Sequence, residues 1–305
     1  MPDHMAAFEE DPVASPHAEG ARPARTASVA RRITLVGHDP VFEDLRHAPC
    51  LAGYEIQQSD GGIQVLRALW QRDCGVLVTN PATPLSEDLA LAVEARRIRP
   101  GFRMIVLAPA ATPDDIIAAL RAHVFACFTP PFDSGDIADM VVQALETPEW
   151  HDGIEVVSGL PEWLTLRVNC RMVAAERLVR FMTEYRTDLP EAERDALIMA
   201  FREMLLNAME HGAGFDPEQV IEVTAARTER SIVYHFKDPG PGFDRAKLGH
   251  AAVSNAPDNP VGHVRQRAER GLRPGGFGLL IAKQVVDELV YNERGNEVIL
   301  IKRTQ

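Results

Sequence analysis

The residues with the clearest chemical potential lie on one predicted helix, in the stretch FREMLLNAMEHG at 201–212. Glu203, Asn207 and His211 recur there at intervals of four residues. Each interval climbs about 6 Å along a helix and turns only slightly, so the three side chains would point the same way. A carboxylate can deprotonate a hydroxyl group, and an amide oxygen can bind a hard cation such as Mg²⁺. A solvated helix edge is the plainer interpretation of a single polar stripe.

A second candidate site follows a predicted strand at 231–238, where Asp238 is followed by Pro-Gly-Pro-Gly. Gly240 and Gly242 allow backbone conformations closed to other residues, and they let a ligand approach the bare main chain. A turn alone would explain the same residues, because Pro and Gly are the commonest turn formers. By itself this motif is weak support for a binding site.

A third candidate is the glycine cluster RPGGFGLLIAK at 273–283, which leads into a predicted helix at 277–289. Free N–H groups at a helix N-terminus favour phosphate, so Gly275, Gly276 and Gly278 are candidates to line a nucleotide. The cluster lacks the spacing of a dinucleotide-binding fingerprint and of a Walker loop. Arginines between the two glycine motifs are candidates for a γ-phosphate contact, and the sequence selects none among Arg265, Arg267, Arg270 and Arg273.

The order of these three motifs resembles that of the GHKL (Bergerat-fold) ATPase superfamily, over about 164–303. In that family a helical Asn holds magnesium, an Asp after a strand reads the adenine amino group, and glycine loops bracket a lid over the phosphates. The resemblance implies ATP and Mg²⁺ as cofactors, with Asn207 as the magnesium ligand and Asp238 as the adenine contact. It assigns the pocket and the phosphate contacts to the glycines at positions Gly240, Gly242, Gly275, Gly276 and Gly278.

Within the superfamily the chain most resembles the anti-sigma-factor serine kinases, through the strand LTLRVN at 164–169, a long helix, and then EMLLNAMEHG. This resemblance implies transfer of the ATP γ-phosphate to a Ser or Thr of a partner antagonist protein, with Glu203 as the base. The implied partners are an anti-anti-sigma-like antagonist and a sigma factor, and a homodimer stays open. For His211 we favour a structural role over a catalytic one.

Two alternatives to the kinase stay open. One is a nucleotide-gated protein-interaction switch without kinase activity, although such a binder would not need the carboxylate of Glu203. The other is the ATPase half of a histidine kinase. Sensor histidine kinases precede the ATPase domain with a helical hairpin that bears a phosphoacceptor His, and the segment 164–190 contains no His.

The first half of the chain alternates five apolar runs with segments of helical spacing, which predicts a doubly wound parallel sheet. The pattern over 31–146 resembles the receiver domain of response regulators, through VGHDP, VTNPATP and FTPPF after strands one, three and five. Asn80 stands at the acceptor position, and an amide cannot form the mixed anhydride that a carboxylate can. Ala108 stands where a receiver has its Ser or Thr, and Pro130 stands where it has its Lys. Of the acidic pair that binds Mg²⁺ in receivers, Asp39 alone remains. We therefore predict an inert pseudo-receiver that regulates the ATPase domain.

The predicted fold class is α/β, with a five-stranded receiver-like sheet followed by an α+β two-layer Bergerat ATP-binding sandwich. The predicted divisions are a disordered arm at 1–30, the pseudo-receiver at 31–146, a linker at 147–163 and the ATPase domain at 164–305. A net charge of −12 argues against direct nucleic-acid binding. The sequence contains four scattered cysteines and lacks an apolar run of roughly 20 residues. We therefore expect a cytoplasmic protein without membrane contact.

Overall fold

The computed structural model describes residues 32–71, 74–147, 152–185, 189–242 and 278–304. The predicted arm at 1–30, the four candidate arginines and two of the candidate phosphate glycines, Gly275 and Gly276, lie outside the described residues.

The N-terminal domain is a parallel sheet of five strands in the order β2-β1-β3-β4-β5, as the sequence predicts. This order reverses direction once, next to β1, and is the order of flavodoxin-like doubly wound folds. The strands β3, β4 and β5 are fully buried, and apart from Arg103 at the start of β4 their residues are apolar. The elements are β1 (Arg32–Val36), α1 (Pro40–His47), β2 (Glu55–Ser59), α2 (Gly62–Trp70), β3 (Val76–Val78), α3 (Leu85–Ile98), β4 (Arg103–Leu107), α4 (Pro113–Arg121), β5 (Ala126–Phe128) and α5 (Ser134–Glu146).

The C-terminal domain is an antiparallel sheet of six strands in the order β10-β11-β9-β8-β7-β6, with helices against one face. Alternating side chains of β7, β8, β9 and β11 are buried toward those helices, which is the pattern of a two-layer α+β sandwich. The elements are β6 (Ile154–Leu160), β7 (Trp163–Asn169), α6 (Met172–Glu184), α7 (Glu191–Asn207), β8 (Val220–Arg227), β9 (Ser231–Lys237), α8 (Gly278–Val285), β10 (Glu288–Tyr291) and β11 (Glu297–Arg303). Both parts of the predicted fold class are confirmed.

The structure differs from the sequence prediction at two edges of this sheet. Strand β6 lies inside the stretch 147–163 that was predicted as a linker, and it pairs with β7 as a hairpin. The predicted helix at 277–289 ends at Val285, and β10 follows it against β11. In both places the strand is an edge strand that pairs with the next strand along the chain, and local periodicity does not report this pairing.

The two domains meet where helix α6 covers β5, the edge strand of the parallel sheet. Arg177 of α6 is 1% exposed, and its Nε donates to the Phe125 carbonyl at 2.7 Å. Its Nη2 donates to the Val124 carbonyl at 3.0 Å and to Asp152 Oδ1 at 2.7 Å. Val124 and Phe125 directly precede β5, at an edge of the sheet where carbonyls lack a neighbouring strand. The guanidinium of α6 therefore satisfies the edge of the N-terminal sheet.

None of the helices in the described ranges is long and apolar enough to span a membrane.

Candidate functional site

Helix α7 is anchored to the C-terminal sheet by its apolar face. The ring of Phe201 lies 4.9 Å from that of Tyr234 and 5.0 Å from that of Phe236, and all three side chains are buried. Buried aromatic pairs in these geometries hold a helix at one position on a sheet. On the flank of this face Glu203 and Asn207 are both partly exposed. The predicted polar stripe is therefore present for these two residues.

The third residue of the predicted stripe does not follow the α-helical spacing. Residues Ala208–Gly212 form a π-helical turn, and the Ala213 N–H donates to the Ala208 carbonyl at 3.2 Å. A wider turn rotates the side chains that follow Asn207 away from the α-helical positions. His211 consequently has a side chain that is 34% exposed, whereas that of Glu210 is 7% exposed. The expectation that Glu203, Asn207 and His211 share one stripe holds only for the first two.

The π-helical turn brings the end of this helix against the Asp238 loop. Gly212 has no room for a side chain, because a Cβ atom there would overlap the carboxyl group of Asp238. A Cβ atom on Gly240 would lie 2.5 Å from the Gly212 carbonyl oxygen. The helical motif and the Asp238 motif, which are separated in the sequence by β8 and β9, are therefore in contact at these two glycines. Sequence reasoning did not single out Gly212, although a glycine directly after a helical polar motif was a usable signal.

The carboxyl group of Asp238 is oriented by its own loop. The Gly240 N–H donates to Asp238 Oδ1 at 2.8 Å, which fixes the side chain at the end of β9. Gly242 has a φ of +80°, and a Cβ atom there would overlap the main chain of Arg294. Glycine is therefore required at Gly242 both by the backbone conformation and by the neighbouring chain.

A second support for Asp238 comes from the turn between β10 and β11. The Asp238 N–H donates to the Asn296 carbonyl at 3.0 Å, and Asn296 Nδ2 donates to the Asp238 carbonyl at 3.1 Å. Asn292 Nδ2 donates in turn to Asn296 Oδ1 at 3.0 Å. Asn296 is 8% exposed. Sequence reasoning missed both asparagines, because NERGN reads as an ordinary turn between strands.

Burial raises the pKa of Asp238 above its usual range, although the Gly240 N–H and the charge of Arg294 oppose that shift. A carboxylate accepts a hydrogen bond from an amino group best when it is ionised. If Asp238 is the adenine contact that the sequence predicts, nucleotide binding should weaken as the pH falls, beginning at a higher pH than an ordinary aspartate would give.

We expect the dissociation constant of Mg-ATP to rise on acidification from about pH 8 to about pH 5, measured by calorimetry. The exposed carboxylate Asp216 provides a matched control. Asp216→Asn should keep the wild-type profile, whereas Asp238→Asn should bind weakly at every pH. Because both variants share the titration of ATP itself, identical profiles in all three proteins would exclude Asp238 as the pH-sensitive contact.

Glu203 lies against the start of helix α8. Its side chain is 16% exposed, and Arg202 Nη1 approaches Glu203 Oε1 to 3.8 Å. A Cβ atom on Gly278, the first residue of α8, would lie 3.0 Å from the Glu203 Cβ atom and would overlap its carboxyl group. The structure therefore places Gly278 of the third motif directly on Glu203 of the first. This contact brings the described part of the third motif to the same side of the domain.

These residues fit an ATP-binding role in their chemistry. Asp238 offers an oriented acceptor beside Gly212 and Gly240, where missing side chains leave the main chain accessible. Asn207 offers one amide oxygen, which is the kind of donor that Mg²⁺ accepts. The described residues contain no cluster of three or more His, Cys, Asp or Glu that could hold a metal ion. Magnesium bound here would take most of its remaining ligands from phosphate oxygens and water.

In the N-terminal domain, the polar side chains of Asp39 and Asn80, which follow β1 and β3, form hydrogen bonds with the main chain. Asn80 is 8% exposed; its Nδ2 donates to the His38 carbonyl at 3.1 Å, and its Oδ1 accepts from the Ala82 N–H at 2.8 Å. Asp39 caps helix α1 by accepting from the Val41 N–H at 3.0 Å. Both side chains thus have structural partners at the positions where the resemblance places the acceptor and a metal ligand.

Residues 169–302 match the family described as the histidine kinase-like ATPase domain. The chain is also 27% identical over 128 residues to the transcriptional regulatory protein GlrR of Escherichia coli strain K12, covering 40% of this chain and 28% of that protein. The transcriptional regulatory protein QseF of Escherichia coli O157:H7 matches with the same identity and coverage. The chain thus spans little more than a quarter of the length of these curated relatives, at 28%.

Among solved structures, the chain is similar to the apo receiver domain of nitrogen regulatory protein C, with 21% identity and a TM-score of 0.35. That match covers 40% of this chain and 98% of the other. It is also similar to a CheY-like receiver domain protein from Methanospirillum hungatei JF-1, with 20% identity, a TM-score of 0.34, and coverage of 38% and 94%.

The sheet order of the first domain is the one found in CheY. The chain therefore joins a receiver-like doubly wound domain to a histidine-kinase-like ATPase domain at residues 169–302.

Proposed function

We propose that this protein is an ATP-dependent serine/threonine-protein kinase of the anti-sigma type, which transfers the γ-phosphate of ATP to a partner antagonist protein. The observation that carries the proposal is the meeting of the three motifs. Gly212 packs on Asp238, and Gly278 packs on Glu203. A nucleotide whose adenine bound at Asp238 would lie beside helix α7, which carries Asn207 and Glu203.

Each residue has a task that follows from its chemistry. Asp238 accepts a hydrogen bond from the adenine amino group, and Asn207 offers its amide oxygen to the metal. Magnesium, when bound, neutralises part of the phosphate charge. Glu203 orients the incoming hydroxyl and takes its proton, which is the main task left to a protein in phosphoryl transfer. Gly240, Gly242 and Gly278 keep side chains out of the space beside these groups.

The phosphate acceptor in this proposal is a Ser or Thr of an anti-anti-sigma-like antagonist, and a sigma factor is the second partner. The support for both partners is the resemblance of 164–212 to the anti-sigma-factor kinases. The receiver-like domain acts as a regulatory element, because Asn80 cannot accept a phosphoryl group and has its amide bonded to the backbone.

A nucleotide-gated interaction switch is the second candidate. The N-terminal domain favours this candidate. Asn80 and Asp39 form hydrogen bonds with the main chain, and an amide at position 80 cannot accept a phosphoryl group. In such a switch ATP would change the affinity for a partner without phosphoryl transfer. A third candidate is the ATPase half of a histidine kinase, which would have to act on a separate His-containing protein.

The test is incubation of the purified full chain with γ-labelled ATP, Mg²⁺ and candidate antagonist proteins. We expect label on a Ser or Thr of one partner, in an alkali-labile and acid-stable linkage. Acid-labile label on a partner His would establish the histidine-kinase alternative. Tight ATP binding without label on any partner, together with ATP-dependent capture of an antagonist, would establish the switch.

A further inference from the structure

The described part of the N-terminal domain contains a buried carboxyl group for which the described residues provide no compensating cation. Asp88 lies in the first turn of α3 and is 3% exposed. Its Oδ2 atom is buried and has no hydrogen-bond partner in the described ranges. A buried ionised carboxylate without a cation is costly, whereas the neutral acid is tolerated. The position therefore favours the protonated form.

A hydroxyl group links Asp88 to the sheet. The side chain of Thr79, which directly follows β3 and is fully buried, faces the Asp88 carboxyl group and lowers its pKa. Thr79 Oγ1 also accepts from the Leu107 N–H of β4 at 3.1 Å. Because that lone pair is used, the Thr79 hydroxyl proton remains to be donated to Asp88. Helix α3 is thus connected to two central strands at the residue directly before Asn80.

The titratable groups around Asp88 do not neutralise its charge. Glu87 on α3 carries the same sign and disfavours a second ionised carboxylate. Cys127 on β5 lies within electrostatic range of Asp88, of Asp115 on α4 and of Arg180 on α6. Arg180 is engaged by Glu184 on its own helix. Burial, opposed by the hydroxyl group of Thr79 and supported by the charge of Glu87, raises the pKa of Asp88 from its ordinary value of 3.8 to about 7.

We propose that helix α3 is a proton-responsive element, which is held on the sheet when Asp88 is protonated and is loosened when Asp88 is ionised. The sign follows from linkage. The folded state binds the Asp88 proton more tightly than the unfolded chain does, so its stabilisation is present at low pH and is lost as the pH rises through about 7. Although Asn80 cannot be phosphorylated as a receiver aspartate can, the domain can therefore still respond to pH.

The response of α3 has a route to the ATPase domain. Helix α3 packs on α4, and α4 packs on strand β6 of the C-terminal sheet. A Cβ atom on Gly159 of β6 would lie 2.7 Å from Ile117 Cγ2 and 3.2 Å from Arg121 Nη2, so the two elements are in direct contact. A displacement of α3 therefore reaches the domain junction through one intervening helix.

The test is amide hydrogen exchange of the full chain, followed with the carbon chemical shift of the Asp88 carboxyl group. The protection factors of the first-turn amides of α3 should fall about tenfold between about pH 6 and pH 8. Asp88→Asn should abolish this dependence, and Glu87→Gln, which removes an exposed carboxylate of the same turn, should retain most of it. The Asp88 resonance should titrate near pH 7.

Two results would overturn the proposal. One is an Asp88 carboxyl group that titrates below about pH 5 in the wild-type protein, which needs no variant to fold. The other is the same pH profile of α3 protection in wild type and in Asp88→Asn. Neither measurement involves ATP, so failure of this proposal is separate from failure of the proposed kinase activity.

Discussion

Glu203→Gln should lower the rate of phosphoryl transfer about 10²–10⁴-fold, the usual contribution of a positioned general base. Glutamine keeps the size of the side chain at the contact with Gly278, where there is no space to spare. The amide cannot take a proton from an incoming hydroxyl group. Because the proposed adenine and metal contacts are Asp238 and Asn207, the affinity for Mg-ATP should stay within about twofold of wild type.

The measurement is single-turnover transfer of labelled phosphate to the antagonist, beside calorimetric ATP affinities. Glu193→Gln is a matched control, because Glu193 lies on the same helix, is 50% exposed in its side chain and pairs with Lys302 at 3.2 Å. It should transfer phosphate at the wild-type rate. Full transfer by Glu203→Gln would show that another group acts as the base.

Arg177→Ala should destabilise the protein by about 3–5 kcal/mol, the usual cost of leaving a buried charge without its partner. The change removes the donors for the carbonyls of Val124 and Phe125 and for Asp152. Burial raises the pKa of Asp152, but hydrogen bonds from His123 and Arg177 and their charges outweigh it and hold the pKa below its usual value. Without Arg177, ionised Asp152 loses a positive charge and a hydrogen-bond donor.

The measurement is chemical denaturation followed by probes in both domains. Arg177→Met fills most of the same space, so its comparison with alanine separates packing from lost hydrogen bonds. Combining Arg177→Met with Asp152→Asn removes both charges and should recover part of the loss. We expect one shared transition, because a single buried apolar cluster includes residues of both domains, such as Leu120 and Leu164. Separate transitions with unchanged stability would refute the role of Arg177 at the junction of the two domains.

Much of the fold is predictable from the sequence because it is encoded locally. Segments such as VLV at 76–78 and RMIVL at 103–107 consist almost entirely of apolar residues, which is the pattern of a buried strand. The alternation in 163–169 marks a half-buried strand in the same way. Strand β10 escaped prediction because ELVY follows the helix without a break in its apolar pattern. Its pairing with β11 decides its conformation.

The candidate site was predictable in its residue types and less so in its geometry. The spacing of Glu203 and Asn207 correctly placed them on one flank of α7. AMEHG has no residue that forbids an α-helix, so the π-helical turn and the exposure of His211 could not be read from it. The contact of Gly212 with Asp238 joins separate elements, and contacts of this kind depend on tertiary packing rather than on local propensity.

The central claim is that Asn207 and Asp238 belong to one magnesium-dependent nucleotide site. The most direct test is calorimetric titration of ATP into the full chain with and without Mg²⁺, for wild type, Asn207→Ala and Asn207→Asp. We predict that wild type binds ATP in a magnesium-dependent manner, that Asn207→Ala loses this dependence, and that Asn207→Asp, which retains an oxygen donor, recovers part of it. Magnesium-dependent ATP affinity that is unchanged in a folded Asn207→Ala protein would contradict the account.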